Sequence, residues 1–128
     1  MKDLKISKEL IKAVLEKETQ TLSKDFNFTI NEDYIEFSDD GEMQFEYCIY
    51  KFAFKCKEWA SNLGYQIISG PSDEQAYRKN CEQAYSEVFW YEGDDVHRTY
   101  KNELFLACTE QEAIIIASEW VLSEVNKW

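Results

Sequence analysis

The sequence predicts an α+β fold in which amphipathic helices cover a mostly antiparallel sheet. The chain has 128 residues, the length of one domain, and 45% of them are hydrophobic. Four Gly and one Pro leave no linker or low-complexity segment that would divide it. Segments with two-residue alternation come in pairs joined by short turns, and segments with helical spacing flank them. We therefore expect one sandwich domain over residues 1–128 with the order α-β-β-β-α-β-(α)-β-β-α.

Three segments have the apolar spacing of amphipathic helices. The first is predicted over about residues 8–18, after the capping residue Ser7. The second is predicted over residues 49–63. The third follows a capping box that starts at Thr109, and its wide apolar face predicts deep packing. A short additional helix over about residues 72–80 rests on its capping pattern alone.

The first half of the chain predicts a meander of three strands at residues 26–30, 34–38 and 42–47. Polar residues typical of turns separate them. In the third strand, alternation predicts two faces: Met43, Phe45 and Tyr47 point one way, whereas Glu42, Gln44 and Glu46 point the other. The meander is therefore expected to have an apolar side and an acidic side.

The second half predicts a strand at residues 65–69 and then a long hairpin. The hairpin strands are placed at residues 84–91 and 98–107, around an acidic turn at residues 92–95. Its Phe89-Trp90-Tyr91 run is interpreted as half core and half surface, with a ligand pocket or an interface as the alternative.

Negative charge is concentrated in residues 25–50. This stretch has no Lys or Arg, and it holds eight carboxylates: Asp25, Glu32, Asp33, Glu36, Asp39, Asp40, Glu42 and Glu46. The same stretch is rich in aromatic and β-branched residues, which disordered acidic tails lack. The pattern therefore indicates a folded sheet with an acidic surface.

The acidic surface favours a basic protein partner. The predicted partner-binding residues are Asp33, Glu36, Asp39, Asp40, Glu42 and Glu46. A net charge of −11 argues against direct binding of nucleic acid and against anionic membranes. The competing interpretation is a solvated sheet face that only keeps the protein soluble and blunts edge-to-edge aggregation.

The chain shows no sequence signal for a membrane or for secretion. Its longest apolar run, residues 113–117, is far shorter than the roughly 20 residues of a membrane span, and its first residues lack the apolar region of a signal peptide. Four cysteines occur without a C-x-x-C pair, which indicates reduced structural thiols. We expect a cytoplasmic protein.

Chemical motifs are scarce. No phosphate-binding, dinucleotide-binding, zinc-protease or serine-hydrolase motif occurs. His97, the only histidine, lies near Asp94 and Asp95, and this trio suggests a metal site or a general base. Two acidic residues in a Gly-containing turn are more simply explained as turn residues. We therefore predict no catalytic residue, no metal site and no cofactor.

Two stretches carry a resemblance to a known group of proteins. Residues 49–60 with Gly64-Tyr65, and residues 107–114 with residues 119–122, resemble segments of small phage- and prophage-encoded α/β-sandwich proteins of unknown function. The resemblance covers about a third of the chain. It implies a sandwich fold, a mobile-element origin and the cytoplasm of a bacterial host, and it transfers no site residue.

Three functional hypotheses follow. The first is a non-enzymatic interaction protein whose acidic face docks on a basic host protein, as a nucleic-acid mimic or an anti-defence inhibitor. The second is a small enzyme that uses carboxylates, with a divalent ion at Asp94, Asp95 and His97. The third is a virion structural or assembly component in which Trp90 and Trp128 are buried at subunit contacts.

Overall fold

The computed structural model describes residues 4–31, 33–71, 84–98 and 105–127. Within these ranges, helices and strands pack together in an α+β fold, as the sequence predicts. The helices are α1 (Lys8–Val14), α2 (Glu16–Thr19), α3 (Ile49–Asn62) and α4 (Glu110–Val125). The strands are β1 (Asn27–Ile30), β2 (Tyr34–Asp39), β3 (Glu42–Cys48), β4 (Tyr65–Pro71), β5 (Ala84–Glu92), β6 (Asp95–Arg98) and β7 (Phe105–Ala107).

The described strands form two antiparallel sheets. The first sheet has the order β1-β2-β3, which is the predicted meander. In the second sheet, β5 is central: β4 pairs along one of its edges, and β6 and β7 pair with successive parts of the other edge. The sequence left the sheet order open, because alternation within a strand does not show which strand lies beside it.

The hairpin predicted at residues 84–91 and 98–107 is present, with different strand limits. Its return strand begins at Asp95, directly after a tight turn in which Gly93 has a φ of 63°. That positive φ suits Gly, which has no Cβ to clash. In the described part of the return strand, β6 pairs with the end of β5 and β7 pairs with its start. Residues 99–104 lie outside the described part of the chain.

The helix termini follow the capping residues. The Ser7 hydroxyl accepts a hydrogen bond from the N–H of Leu10 at 3.1 Å, and α1 begins there. At α4, the Thr109 hydroxyl accepts a hydrogen bond from the N–H of Glu112 at 3.2 Å.

The helix predicted over residues 8–18 is divided at Leu15, whose φ of −105° and ψ of 45° are not helical. The short helix predicted over residues 72–80 lies outside the described residues.

One buried cluster contains residues from both sheets and from the long helices. Helices α3 and α4 pack against each other and against β4. Ile35 and Phe37 of the first sheet join the same cluster as Ile67 and Val88 of the second sheet. The Phe37 ring is fully buried and stacks on Phe45 with 4.7 Å between ring centroids. The first sheet therefore has one face in the core, and its other face points away from the core.

Candidate functional site

The surface of the first sheet that points away from the core is defined by the strand register. Directly opposed residues of antiparallel strands share a face, so the partners of Glu36 lie on the side opposite to Ile35 and Phe37. We call this surface the outer face. It consists of Asn27, Thr29, Tyr34, Glu36, Ser38, Met43, Glu46 and Cys48.

Two carboxylates stand at the centre of the outer face. Glu36 of β2 lies directly opposite Glu46 of β3. Side chains in such a cross-strand pair have their Cβ atoms about 5 Å apart, and like charges there destabilise the sheet. Because residues 25–50 include no Lys or Arg, the strands themselves supply no cation to balance the pair.

The two carboxylates differ in their surroundings. Glu36 is half-buried and is held by two donors: the Thr29 hydroxyl at 3.3 Å and the Asn31 side-chain amide at 3.2 Å. Glu46 is exposed, and within the described part of the chain nothing donates to its carboxylate. Glu36 is therefore positioned by its neighbours, and Glu46 has its hydrogen-bonding capacity directed to solvent.

The prediction that Glu42 and Glu46 point to the same side of β3 is wrong. Phe37 lies opposite Phe45, but Ser38 lies opposite Met43, so Gln44 is an extra residue that forms a β-bulge. Beyond the bulge the alternation is inverted. Glu42 lies opposite Asp39, on the side of the sheet that bears Phe37.

The same bulge moves Met43 to the outer face, where the sequence predicted a core-facing residue. Its side chain is 64% exposed. Tyr34, at the other end of the outer face, is 43% exposed. The four residue-to-residue steps from Tyr34 to Ser38 span about 13 Å at roughly 3.3 Å per step. The acidic pair therefore lies between two exposed apolar side chains, which the sequence analysis did not include in the site.

Three other predicted partner-binding residues lie at the ends of the strands. Asp39 accepts hydrogen bonds from the Ser23 backbone N–H at 2.7 Å and from the Ser23 hydroxyl at 2.5 Å. These bonds, the hydroxyl one first, lower the pKa of the Asp39 carboxyl below its usual value. Asp39 therefore ties the segment before β1 to the sheet, and this structural role competes with partner binding.

Asp33 and Asp40 are exposed turn residues. The Asp33 carbonyl accepts a hydrogen bond from the N–H of Ile49 at 2.9 Å, which fixes the start of α3 beside the turn. Asp40 and Gly41 have φ values of 56° and 80°, as a tight β2–β3 hairpin requires at both central positions. The carboxylates of Asp33 and Asp40 extend the negative charge to both ends of the first sheet.

Lys55 of α3, which lies beneath the first sheet, forms an ion pair within the fold. The Lys55 ammonium contacts the Glu18 carboxylate at 2.9 Å, and this hydrogen bond raises the pKa of Lys55. Burial acts to raise the pKa of Glu18, but the hydrogen bond and charge of Lys55 outweigh it and lower that pKa. Lys55 therefore links α2 to α3 and does not balance the outer face.

The alternative metal or base site stays a prediction. Asp94 and Asp95 are exposed in the turn between β5 and β6, and the backbone of His97 lies opposite Trp90. The His97 side chain lies outside the described atoms. Among the residues that the structure describes, no three or more His, Cys, Asp or Glu side chains are grouped to hold a metal ion.

The second-sheet aromatic residues divide between core and surface. Trp90 packs against Tyr65 and Trp120, with ring centroids 5.8 Å and 5.5 Å apart, whereas Tyr91 is 65% exposed. Trp90 is thus engaged within the fold, and Trp128 lies outside the described residues. Two of the described cysteines, Cys48 and Cys56, are free thiols.

A shallow groove of about 250 Å³ lies between α1, α2 and the segment before β1. Its lining includes Lys12, Lys24 and a single carboxylate, Glu16. A groove with one carboxylate does not supply the carboxylate pair that acid–base hydrolysis uses. None of the predicted partner-binding residues lines it.

Comparison with known proteins gives no match: no protein family, no curated protein and no solved structure is similar to the chain. The resemblance to phage-encoded proteins therefore stays an expectation from the sequence. Among the described helices, none combines the length and apolar character needed to span a membrane.

Proposed function

We propose that the protein acts without catalysis, by binding a basic protein surface with the outer face of its first sheet. The observation that carries this proposal is the pairing of Glu36 with Glu46 on a sheet face that contains no Lys or Arg. Direct opposition of like charges lowers the stability of the free protein. A cation from a partner converts that cost into an attraction.

An arginine side chain suits this pair. Its planar guanidinium presents several donors and forms bidentate hydrogen bonds with carboxylates. The carboxylates of Glu36 and Glu46 project from Cβ atoms about 5 Å apart, close enough for one guanidinium to contact both. Tyr34 and Met43 supply apolar contact area on either side of the charges. The proposed surface thus combines a charged centre with an apolar border.

The overall charge supports the same class of partner. A net charge of −11 attracts basic surfaces over distances up to about a Debye length, roughly 8 Å at physiological salt. Such attraction raises association rates and weakens with added salt. A partner that ordinarily grips phosphates matches this surface, so the proposal includes a nucleic-acid mimic or an anti-defence inhibitor of phage or mobile-element origin that acts in the bacterial cytoplasm.

Capture of basic proteins from a bacterial lysate at low ionic strength tests the proposal. Wild-type protein is compared with the double variant Glu36→Lys, Glu46→Lys. The matched control is Asp94→Lys, Asp95→Lys, which makes the same change in net charge in the turn of the second sheet. We expect wild type and the control to enrich the same basic protein and the outer-face variant to lose it. Equal capture by all three would contradict the proposal.

A second comparison separates the outer face from strand β3 as a whole. Glu42→Lys and Glu46→Lys alter the charge of the same strand by the same amount, but the β-bulge puts the two residues on opposite sides. We expect Glu46→Lys to weaken binding by at least about tenfold, the range of one charge pair in an interface. The effect of Glu42→Lys should be several times smaller. Equal effects would assign binding to the general charge of the hairpin.

A further inference from the structure

Four residues of the outer face form a row that is inclined to the strands. Tyr34 lies two residues before Glu36 on β2, and Glu46 lies opposite Glu36 on β3. Met43 of β3 lies opposite Ser38, two residues after Glu36. Along the strands, Tyr34, the two glutamates and Met43 therefore follow one another at steps of about 6.6 Å. We call Tyr34, Glu36, Glu46 and Met43 the diagonal row. The strand register places all four on one surface.

The diagonal row is apolar at its ends and negative at its centre. Tyr34 and Met43 are both exposed. The outer-face residues that carry a charge are Glu36 and Glu46, and their charges sum to −2. Binding partners present charges opposite to those of the surface that they contact. An occupant that matches the row therefore brings a cation to its centre and apolar side chains to its ends.

The dimensions of the diagonal row match those of an extended strand. Same-side residues of a strand recur every 6.6 Å or so, and residues i, i+2 and i+4 thus reach one end, the centre and the other end. The row crosses one strand spacing of about 4.8 Å over a length of about 13 Å, which inclines it to β2 by about 20°. The strands of two packed sheets lie within about 30° of each other, a range that includes this angle.

An α-helix matches the row less well. Its residues i, i+4 and i+7 lie on one side, but they span only about 10.5 Å at a rise of about 1.5 Å per residue. The three residues of a helix that face the sheet would therefore stop short of one apolar end. A strand reaches both ends with all three side chains on one side.

We infer that the outer face binds a strand of the basic partner in which an arginine stands between two apolar residues, in the pattern apolar-x-Arg-x-apolar. This inference rests on the proposed function and adds the conformation and the sequence pattern of the partner. The planar guanidinium donates to both carboxylates, whereas a lysine ammonium is a compact point charge. The apolar residues two positions before and after the arginine lie over Tyr34 and Met43.

Two synthetic peptides with the same composition and charge test the inference. In Thr-Val-Thr-Arg-Thr-Val-Thr the valines lie on the same side as the arginine, whereas in Thr-Thr-Val-Arg-Val-Thr-Thr they lie on the other side. NMR titration of the isotope-labelled protein measures both dissociation constants. We expect wild type to bind the first peptide at least about tenfold more tightly, the effect of burying one apolar side chain. Equal affinities, or no binding of the first peptide, would overturn the inference.

Replacement of the apolar ends of the diagonal row should remove the preference for the first peptide. Tyr34→Ser, Met43→Ser should bind both peptides equally. Met43 is 64% exposed, so Met43→Ser alone spares the fold and should lose part of the preference. The matched control, Ile68→Ser, Tyr91→Ser, removes two exposed apolar side chains from the second sheet and should keep it. A full preference in Met43→Ser and in the double variant would overturn the inference.

A helical peptide tests the conformation of the occupant. An Ala-rich helix with Val, Arg and Val at positions i, i+4 and i+7 carries the same charge and should bind more weakly than the first peptide. Tighter binding of the helix would overturn the inference of a strand.

Glu36→Lys, Glu46→Lys separates this inference from the proposed function. If wild type binds both seven-residue peptides equally and this variant binds neither, the inference fails and the proposed function stands. If the variant binds them as tightly as wild type does, both fail.

Discussion

Replacing Glu46 by Lys should stabilise the free protein. Glu46 faces Glu36 across β2 and β3. Carboxylates about 6 Å apart repel by about 0.7 kcal/mol in water, and screening at physiological salt leaves about 0.3 kcal/mol. Lysine converts this repulsion into an attraction of similar size, so the free energy of unfolding should rise by about 0.6 kcal/mol. For a chain of 128 residues this corresponds to a melting temperature about 2 °C higher.

Thermal denaturation followed by circular dichroism provides the measurement. The rise in melting temperature caused by Glu46→Lys should be larger at low salt, because screening is weaker there. It should largely disappear when Glu36 is already replaced by Gln. Asp94→Lys controls for the general relief of net negative charge. An unchanged or lower melting temperature for Glu46→Lys, or the same gain in the Glu36→Gln background, would refute the view that the pair is a local repulsion. Confirmation would mean that Glu46, a residue proposed to bind the partner, destabilises the free protein.

Three further predictions concern the framework of the fold. Ser7→Ala should lower the free energy of unfolding by about 1–2 kcal/mol in urea titrations, because the Ser7 hydroxyl caps α1 and donates to the Glu119 carboxylate at 2.7 Å; an unchanged midpoint would exclude this contact. Because folding lowers the pKa of Glu18, the ionised carboxylate stabilises the folded state above pH 4.5, and this stabilisation is lost as the pH falls further. Glu18→Gln should therefore flatten the acid side of the plot of melting temperature against pH. A plot parallel to that of wild type would argue against the ion pair. Burial raises the pKa of the Cys56 thiol to about 12, so iodoacetamide at pH 8 should label half-exposed Cys48 well before Cys56. Peptide mass spectrometry measures the two labelling rates, and equal rates would place Cys56 at the surface.

The elements that the sequence predicts well are those with a local physical cause. Ser7 and Thr109 cap the helices that follow them, because each hydroxyl satisfies a backbone N–H three residues ahead. The meander follows from alternation and turn residues. These interactions join residues a few positions apart, so their signal is present in a short window of sequence.

The features that the sequence does not predict depend on distant contacts or on an inserted residue. The Ser7 N–H and hydroxyl both donate to Glu119, a contact that spans most of the chain and has no local signal. The bulge at Gln44 leaves the alternation of residue types unchanged while it exchanges the faces of Met43 and Glu42. Only the pairing of β2 with β3 shows it.

The exposure of Tyr50 and Phe54 had a signal in the sequence. Tyr50 and Phe54 lie off the stripe of Ile49, Phe52 and Cys56 that predicts the buried face of α3, so their exposure follows from helical spacing alone.

The affinity of the captured basic partner at two salt concentrations tests the central claim most directly. Isothermal titration calorimetry at low and at physiological ionic strength is applied to wild type, to Glu36→Lys, Glu46→Lys, and to the control Asp94→Lys, Asp95→Lys. We predict that wild type and the control bind with similar dissociation constants, both weakened by salt, and that the outer-face variant binds at least about 100-fold more weakly, the cost of about 3 kcal/mol. Equal affinity of the outer-face variant and the control at both salt concentrations would contradict a binding role for the outer face.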